Sequence, residues 1–438
     1  MKAKYNILIL YGHLEYPLRA SVRDLIYCFK KYANSHCFYY SPDHGDFPEY
    51  LKKIDFDLIV YSTVFVGERW GGEVQLNNRS LSKINHLKNS RAVKIVHPQD
   101  EWIHTDTLCK FINDFNINHV FSVAPPSEWK KIYNTVDHQK VLFHETLTGY
   151  LDDDTVQKIS NIISQVKERD IDVGYRAYKA PTWLGKHGYL KTQIADVFAN
   201  EAPKEGFSVD ISTDNKGVIL GDDWFRFMAR CKYFIGVEGG STIIDRDGAI
   251  WKKGTAYEKE HPNANFEEFE RNCFPRMDGN LKLIAISPRH LEACVTKSCQ
   301  VLIEGDYNHI LKPGEHYIEL KRDFSNLKDV FKLMKDESLR IKIAERAYKD
   351  IVHSGEYSYR NYVKMILNAS FKGIQKTDSA NTKTYFYSLY NKLKEYIYWN
   401  RKNPNINKKT LFIRSILVNI YIYLGFRYLK QLIKPKSN

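Results

Sequence analysis

The sequence predicts an α/β protein with two Rossmann-like domains and a helical tail. In both halves of the 438-residue chain, short apolar runs that end in turn residues alternate with amphipathic helix patterns. This alternation is typical of βαβ units on a parallel sheet. Near residue 165 a polar, helix-like segment separates the two series. We therefore expect domains at 1–165 and 166–370, and a tail at 371–438.

The first half opens on a strand followed by a helix. The run YNILILYG (5–12) predicts a short buried strand, and RASVRDLIYCFKKYA (19–33) carries its apolar residues on one helical face. Three more strands are predicted by FDLIVYST (56–63), AVKIVHP (92–98) and HVFSVAP (119–125). Because parallel sheets bind ligands beyond the carboxyl ends of their strands, we expect functional residues in the loops that follow these runs.

The second half repeats the pattern. Its predicted strands are IDVGYRAY (171–178), FSVDIS (207–212), KYFIGVEGG (232–240), CQVLIEG (299–305) and EHYIELKR (315–322). Its predicted helices are LKTQIADVFANEA (190–202), DDWFRFMARC (222–231) with Asp222 as N-cap, PRHLEACVTK (288–297), and two more near 326–335 and 337–352. Residues 250–280 are less regular.

Composition indicates a globular protein of the cytosol. Hydrophobic residues make up 43% of the chain, and seven cysteines fall at irregular spacings without a C-x-x-C pair, which favours reduced thiols over disulfides or a zinc site. The start MKAKYNILILYG has too short an apolar run for a signal peptide. A run of about eighteen apolar residues, as a spanning helix needs, does not occur.

The net charge of +13 is concentrated in the tail. From Phe371 onward there are 14 Lys or Arg and two acids, so the first 370 residues are almost neutral. The tail also holds 13 aromatic residues and the apolar, basic stretch TLFIRSILVNIYIYLGFRYLKQLIKPK. This mixture is typical of helices on an anionic lipid surface. A helix packed on the body and a partner-binding helix are the alternatives. Nucleic acid is disfavoured, because long Ile/Leu/Val runs do not bind phosphate.

The segment ISPRHLEACVTKSCQVLIEGDYNHILKPGEHYIEL (286–320) resembles the donor-binding end of GT-B glycosyltransferases. The likeness includes the R-H-L-E-A helix start, the strand QVLIEG and the run PGEHYIEL, with LKDVFKLMKDESLRIKIAERAYKDIV and YSYRNYV after them. The chain is most similar to the group called "glycosyl transferases group 1", which includes spore-maturation-type proteins. The resemblance covers about 200 residues, from Asp172 to Val363. In the first half, only the βα rhythm and HPQDEW support it.

This resemblance implies a GT-B fold, in which two Rossmann-like domains face a cleft. It implies transfer of a sugar from a nucleotide-sugar donor to a hydroxyl of a lipid-linked glycan, in the synthesis of a surface polysaccharide or lipopolysaccharide such as O-antigen. No cofactor and no metal are expected, and no D-x-D pattern stands in the HPQDEW region. The tail would hold the enzyme on the cytoplasmic face of the membrane. A catalytically inactive membrane-tethered module and a sugar-nucleotide epimerase are the alternatives.

The donor residues implied by the resemblance begin with PRHLEA. Arg289 and His290 stand at a helix start, where free N–H groups and the helix dipole favour the donor's diphosphate. Glu292 matches a family glutamate that accepts a ribose or sugar hydroxyl. A surface ion pair between Arg289 and Glu292 is the alternative. In the loop GYRAYKAPTWLGKHG, Arg176 and Lys179 are candidate counter-charges for the diphosphate, or solvated loop charges.

A second donor segment is FIGVEGGSTIIDRDGAIW (234–251). Ser241 and Thr242 could bind phosphate at a helix start or merely cap it, and the absence of G-x-x-x-x-G-K-[ST] excludes a P-loop. Many retaining GT-B enzymes place seven residues between two glutamates, but Ile284 stands where the first would precede Glu292. Glu238 takes that catalytic role if residues 250–280 are an insertion; otherwise it is a loop carboxylate or a cap.

Candidate acceptor residues lie in the first half. HPQDEWIHTD (97–106) ends a strand and provides Asp100 or Glu101, either as the base that removes the acceptor's hydroxyl proton or as a ligand of the acceptor, with His104 as an acceptor contact. The first βα loop adds three further acceptor contacts, namely His13, Glu15 and Arg19.

Overall fold

A six-stranded parallel sheet forms the first domain. The computed structural model describes residues 5–14, 16–372 and 382–402. The strands are β1 (Asn6–Leu10), β2 (His36–Tyr40), β3 (Leu58–Tyr61), β4 (Val93–Val96), β5 (His119–Ser122) and β6 (Leu142–Glu145). They lie in the order β2-β1-β3-β4-β5-β6, and neighbours are parallel. The predicted strands correspond to β1, β3, β4 and β5, whereas β2 and β6 have no counterpart in the prediction.

Helices cover both faces of this sheet. They include α1 (Ala20–Tyr32), α2 (Thr63–Gly67), α3 (Gly72–Leu76), α4 (Ser82–Ile84), α5 (Thr105–Asp114) and α6 (Trp129–Ile132). Because side chains alternate along a strand, Leu8 and Leu10 of β1 enter one core while Ile7 and Ile9 enter the other. A strand buried on both faces explains the continuous apolar run at the start of the chain.

The second half forms a five-stranded parallel sheet and a small two-stranded one. The strands are β7 (Ile171–Arg176), β8 (Val209–Ser212), β9 (Cys231–Gly236), β10 (Gly239–Ser241), β11 (Leu283–Ala285), β12 (Cys299–Ile303) and β13 (Tyr317–Leu320). The larger sheet has the order β13-β12-β9-β7-β8, and β10 pairs with β11. Two Rossmann-like domains that share a cleft at the carboxyl ends of their strands form the GT-B arrangement. The predicted fold class is therefore confirmed.

The helices after β6 are α7 (Asp153–Ile163), α8 (Gly185–Glu201), α9 (Asp222–Arg230), α10 (Ala249–Glu260), α11 (Phe266–Cys273), α12 (Pro288–Thr296), α13 (Leu327–Met334), α14 (Glu337–Ala347), α15 (Tyr359–Phe371) and α16 (Thr382–Lys402). The N-cap of α9 is Gly221, one residue before the predicted Asp222. Free cysteines at all seven positions are buried, as the apolar patterns around them indicate.

The domain division differs from the predicted one. Helix α7 packs with α9 and α12 of the second domain, while α15 returns to pack on α1 of the first. The two chain segments that pass between the domains are hydrogen-bonded to each other. The Leu151 N–H donates to Tyr357 O over 2.8 Å, and the Tyr359 N–H donates to Leu151 O over 2.9 Å. The first boundary therefore lies near Leu151 rather than at 165, because the apolar face of α7 is buried by the second domain.

A third link joins the domains. The chain between β10 and β11 leaves the second domain and packs α10 and α11 in the core of the first. The Asp245 N–H donates to Trp102 O over 2.6 Å, and the Asp106 N–H donates to Arg246 O over 3.1 Å. These backbone contacts tie the insertion to the loop after β4.

The tail begins with a helix that packs on the body. Helix α16 lies against β2 of the first domain. For residues 382–402, the structure therefore shows one of the alternatives left open by the sequence, namely a helix packed on the body. Within the described ranges, no helix is both long enough and apolar enough to cross a membrane. The remaining tail segments, 373–381 and 403–438, lie outside the described residues.

Candidate functional site

A cavity with a volume of about 500 Å³ lies between the two sheets. Its walls come from loops that follow strands of both domains, as expected for parallel sheets. The first domain contributes Arg19 to Val22, Leu25, Thr63, Gln99 and Thr148, and the second contributes Arg176 to Tyr178, Asn215, Gly217 to Gly221, Trp224, Ser287 to Arg289 and Glu292. Four predicted site residues are thereby brought together, namely Arg19, Arg176, Arg289 and Glu292.

Three helices begin at this cavity. Arg19 is the N-cap of α1, Gly221 that of α9 and Ser287 that of α12. The first two make no side-chain cap hydrogen bond. The opening N–H groups of a helix have no intrahelical partner and carry a partial positive charge. Three helix starts and three arginines therefore make the cavity attractive to an anion.

Glu292 is positioned by a tryptophan. Trp224 Nε1 donates to Glu292 Oε2 over 2.9 Å. Burial raises the pKa of Glu292, while the Trp224 hydrogen bond and the charge of Arg289 oppose this shift. The Arg289 guanidinium stands 5.9 Å from the Trp224 ring centre and 5.8 Å from that of Tyr175. Arg289 therefore lies within cation–π distance of two aromatic rings.

Arg176 also lines the cavity, but its guanidinium is held by the protein. It donates to Asp210 O over 2.7 Å and to Asp210 Oδ1 over 2.7 Å, and it lies 4.3 Å from the ring centre of Phe227. Asp210 therefore offsets part of its charge. Lys179 is exposed and does not line the cavity, so the predicted pair of counter-charges is not brought together.

Glu238 lies behind the cavity wall. Its side chain is 1% exposed, and its Oε1 accepts a hydrogen bond of 2.6 Å from the Tyr307 N–H. Burial raises the pKa of Glu238. The contacted turn has left-handed backbone at Tyr307, Asn308 and His309, and Asn308 Oδ1 accepts from the Ile286 N–H at the start of PRHLEA. Glu238 thus stabilises the turn that holds the segment before helix α12. Its catalytic contact with a sugar remains a prediction.

The strand pair β10–β11 joins the chain after Glu238 to the chain before Glu292. Gly239 pairs with Ala285 and Gly240 with Ile284. Between these strands lie α10 and α11, which pack on the other domain. The chain from 242 to 282 is therefore an insertion in a tight strand pair, which places Glu238 beside the segment that leads to Glu292.

Three predicted donor residues have structural roles instead. Ser241 is fully buried and donates to Leu184 O over 3.1 Å. Thr242 donates to Asp278 Oδ1 over 2.6 Å. His290 Nδ1 accepts from the Ser287 N–H over 3.1 Å, and burial, with Arg289 and Lys191 nearby, lowers the pKa of His290 to about 3. The predicted phosphate contacts of these residues are corrected, because their polar atoms satisfy nearby groups of the protein.

The prediction that Glu101 acts as the base is also corrected. It is fully buried and accepts hydrogen bonds from Ser122 Oγ at 2.9 Å, Tyr133 Oη at 2.8 Å and the Ala124 N–H at 3.1 Å. Burial raises the pKa of Glu101 to about 7. An acceptor hydroxyl has no access to this carboxyl, so Glu101 organises the loop after β5.

Asp100 is better placed to act as the base. It follows the cavity residue Gln99, has left-handed backbone and is solvent-exposed, although it is not itself one of the residues that line the cavity. Desolvation by the surrounding protein raises the pKa of Asp100, against the opposing charges of Arg69 and Lys191. A raised carboxyl pKa with solvent access suits proton transfer.

Lys191 and Tyr178 are functional candidates that the sequence did not reveal. Burial, and next the charge of Arg289, lower the pKa of Lys191 to about 8, while Asp100 opposes this shift. Burial raises the pKa of Tyr178, which lines the cavity near Asp100, Arg289 and Arg19. In the sequence, Lys191 resembles an ordinary surface position of a helix, so its local pattern carries no signal.

The other predicted acceptor contacts are dispersed. His13 Nδ1 lies 2.5 Å from Asp43 Oδ2 and does not line the cavity. His104 is buried beside Gly72 and Gly248, which corrects its predicted contact with the acceptor, and burial lowers its pKa. Glu15 lies outside the described residues.

One cluster could hold a metal ion among the residues that the structure describes. It consists of Glu315, His316 and Asp350. None of the three lines the cavity, and His316 Nε2 already lies 3.2 Å from Asp350 Oδ2. The cluster is therefore separate from the candidate site.

No family model and no curated protein matches the chain. Solved structures do match. HepE from Anabaena in complex with UDP is 12% identical, with a TM-score of 0.45, over 83% of this chain and 99% of that chain. The same protein in complex with UDP-glucose is 13% identical, with a TM-score of 0.45, over 83% of this chain and 100% of that chain. A glycosyltransferase from Rickettsia africae is 11% identical, with a TM-score of 0.44, over 85% and 100%. Sucrose-phosphate synthase from Thermosynechococcus elongatus is 9% identical, with a TM-score of 0.45, over 84% and 98%.

Proposed function

We propose that this chain is a glycosyltransferase that moves a hexose or related sugar from a nucleotide-sugar donor to a hydroxyl acceptor. One observation carries the proposal. A cavity between two Rossmann-like sheets combines three helix starts and three arginines with a carboxylate that is fixed by a tryptophan. A nucleotide-sugar presents the matching groups, namely a diphosphate, a ribose diol and sugar hydroxyls.

The second domain supplies the donor contacts. Arg289, together with the free N–H groups of α9, binds the diphosphate. Trp224 donates to only one carboxylate oxygen of Glu292, so the other oxygen can accept a hydrogen bond from a ribose or sugar hydroxyl. The apolar loop at 217–221 covers the base. These contacts hold the donor's anomeric carbon toward the first domain.

The first domain supplies the acceptor side and the base. In the transfer, the bond between the anomeric carbon and the diphosphate oxygen breaks, and a bond to the acceptor oxygen forms. Asp100 takes the proton of the acceptor hydroxyl. Arg289 and the helix starts stabilise the negative charge that develops on the leaving diphosphate, so the reaction needs no divalent metal.

We further propose that the acceptor is a lipid-linked glycan of a surface polysaccharide, such as lipopolysaccharide O-antigen. The enzyme would work on the inner face of the cell membrane as a peripheral protein. The basic and aromatic composition of the tail supports this location, because each cation gains about 1 kcal/mol near anionic headgroups.

The experiment is a thermal-unfolding screen with nucleoside diphosphates and nucleotide-sugars, because a ligand of the native state raises Tm with concentration. We expect one nucleotide to stabilise the protein and Arg289→Gln to abolish the shift, while Arg226→Gln, an exposed arginine of α9 outside the cavity, leaves it intact. The absence of stabilisation by any nucleotide would contradict the proposal.

Turnover is tested with the nucleotide-sugar that binds. We expect release of the nucleoside diphosphate only when an acceptor is present, and the same rate in EDTA. Binding without release would identify an inactive module. Conversion of the nucleotide-sugar without an acceptor would identify an epimerase.

A further inference from the structure

Helix α16 is bound to the edge of the first sheet by specific hydrogen bonds. Asn391 is 2% exposed; its Oδ1 accepts from the Tyr39 N–H over 2.7 Å, and its Nδ2 donates to Tyr39 O over 2.9 Å. Tyr39 belongs to β2, the outer strand of the sheet. One amide side chain thus satisfies both backbone groups of an edge-strand residue, which fixes the position of the helix along the strand.

The second half of α16 is fixed by a buried carboxyl. Glu395 Oε2 accepts from Tyr11 Oη over 2.7 Å and from Tyr27 Oη over 3.0 Å. Trp399 Nε1 donates to the same Tyr27 hydroxyl over 2.5 Å. Because Tyr11 follows β1 and Tyr27 lies on α1, this network joins the helix to the elements on either side of the first βα loop.

The helix ends beside the cavity. Its first half lies near the amino end of β2, where the Tyr385 and His36 rings are 6.0 Å apart. At its other end, Lys402 Nζ donates to Leu14 O over 2.8 Å. Leu14 belongs to the loop that leads to Arg19, a residue of the cavity wall. The helix therefore runs toward the sheet edge that carries the cavity.

The outer face of α16 is apolar and basic. Tyr385, Leu389 and Tyr396 follow a helical spacing and are 49%, 37% and 46% exposed. The helix also carries three lysines and one arginine besides Lys402, whereas its one acid, Glu395, is buried. On the adjacent loop Tyr16 is exposed as well. We name this set of Tyr16 and the outward side chains of α16 the tail surface.

The sequence beyond the helix has the same character. The 36 residues after Lys402 contain seven Lys or Arg and no acid, together with long runs of Ile, Leu and aromatic residues. This composition complements an anionic bilayer, because cations attract the headgroups while apolar and aromatic side chains enter the interface.

We propose that the tail surface lies against an anionic bilayer, with the cavity beside the membrane. This inference rests on the proposed glycosyltransferase function and adds its orientation. Docking of α16 brings its last turn next to the first βα loop. A lipid-linked acceptor can then enter the cavity past Arg19 without leaving the bilayer, while the soluble donor enters from the second domain.

Single-cysteine labelling of the full chain tests the orientation. All seven native cysteines are buried, so an introduced exposed cysteine reacts selectively with an environment-sensitive fluorophore such as NBD. The probe positions are Tyr16→Cys and Tyr396→Cys. The matched control is Lys140→Cys, whose side chain is 84% exposed beside the opposite edge strand. Vesicles of phosphatidylcholine, with or without phosphatidylglycerol, are then added.

We expect a blue shift and increased intensity at positions 16 and 396, but not at 140, and only with vesicles that contain phosphatidylglycerol. Equal responses at all three positions, or a response at 140 alone, would overturn the orientation. Failure to co-float with vesicles would overturn membrane docking altogether. Nucleotide stabilisation in the screen above is independent of these results, so failure of the docking is distinguishable from failure of the glycosyltransferase function.

Discussion

Trp224 donates its indole N–H to the Glu292 carboxylate over 2.9 Å, across the wall of the interdomain cavity. Trp224 lies on α9 and Glu292 on α12, so the contact fixes two of the helices that begin at the cavity. It also occupies one oxygen of the carboxylate and leaves the other for a ligand. This part of the proposed donor site is therefore held in place by the protein's own contacts.

Trp224→Phe keeps an aromatic ring and removes the hydrogen bond. A hydrogen bond to a charged group contributes about 1.5–3 kcal/mol, so we expect the Kd of the bound nucleotide to rise at least about tenfold. Isothermal titration measures this change. Trp129→Phe is the control, because Trp129 Nε1 donates to Ala124 O over 2.9 Å away from the cavity walls. Equal affinities of the two variants would refute a role for the contact in binding.

Arg289→Gln removes the positive charge expected to bind the diphosphate. We expect the affinity for a nucleoside diphosphate to fall by about 10- to 100-fold, since charge-assisted hydrogen bonds to phosphate are strong. Affinity for the corresponding nucleoside should change little. Titrations of both ligands measure the difference, with Arg226→Gln as the control. A parallel loss for nucleoside and diphosphate would show that Arg289 acts on the fold rather than on phosphate.

Asp100→Asn tests the proposed base. Asn tolerates the left-handed backbone found at this position. Loss of general-base catalysis lowers rates by about 10²- to 10⁴-fold, so we expect kcat to fall while nucleotide affinity is retained. Because the pKa of Asp100 is raised, wild-type activity should fall when acid protonates this carboxyl. Asp106→Asn, on the exposed start of α5, should leave both rate and pH profile unchanged.

Glu395→Gln tests whether pH controls the docking of α16. Burial raises the pKa of Glu395 from 4.5 to about 7. The docked helix therefore holds this proton more tightly than the undocked helix does. Its stabilisation is complete below about pH 4.5 and is lost as the pH rises through about 7.

Hydrogen exchange over 382–402 measures this docking. We expect protection of the wild-type helix to decrease between pH 5 and 8, after correction for intrinsic exchange. The size of the decrease follows from the difference between the pKa values of Glu395 in the docked and undocked helix. Glu395→Gln stays neutral and can still accept from Tyr11 and Tyr27, so its protection should not depend on pH in this range. A decrease that persists in the variant would assign the effect to a group other than Glu395.

Several site residues could be predicted from the sequence. Arg289 and Glu292 lie in PRHLEA, where the resemblance to GT-B glycosyltransferases implied their roles, whereas Arg176 ends a strand and is placed at the cavity by the rules for parallel sheets. Arg19 follows from the same rule in the first domain. These positions depend on periodicity and turn residues, which a sequence shows directly.

Other residues could not be assigned in this way. Ser241, Thr242, Glu101 and His104 also follow strands, yet protein groups satisfy their polar atoms or bury their side chains. A sequence does not show whether a polar side chain after a strand turns toward the cleft or into the domain. Trp224 is missed for the opposite reason, since the packing of α9 against α12 brings it to Glu292.

By itself, the sequence determined the two series of βα units, the helix starts that can bind an anion, and the concentration of charge in the tail. These properties depend on residues near one another in the chain, through hydrophobic period and helix-end chemistry. Tertiary structure alone decided that 242–282 is an insertion that bridges the domains, that Glu238 stabilises a turn, and that α16 ends beside the cavity. Each of these depends on contacts between residues far apart in the chain, whose free energy comes from burial and hydrogen bonds that exist only in the folded protein.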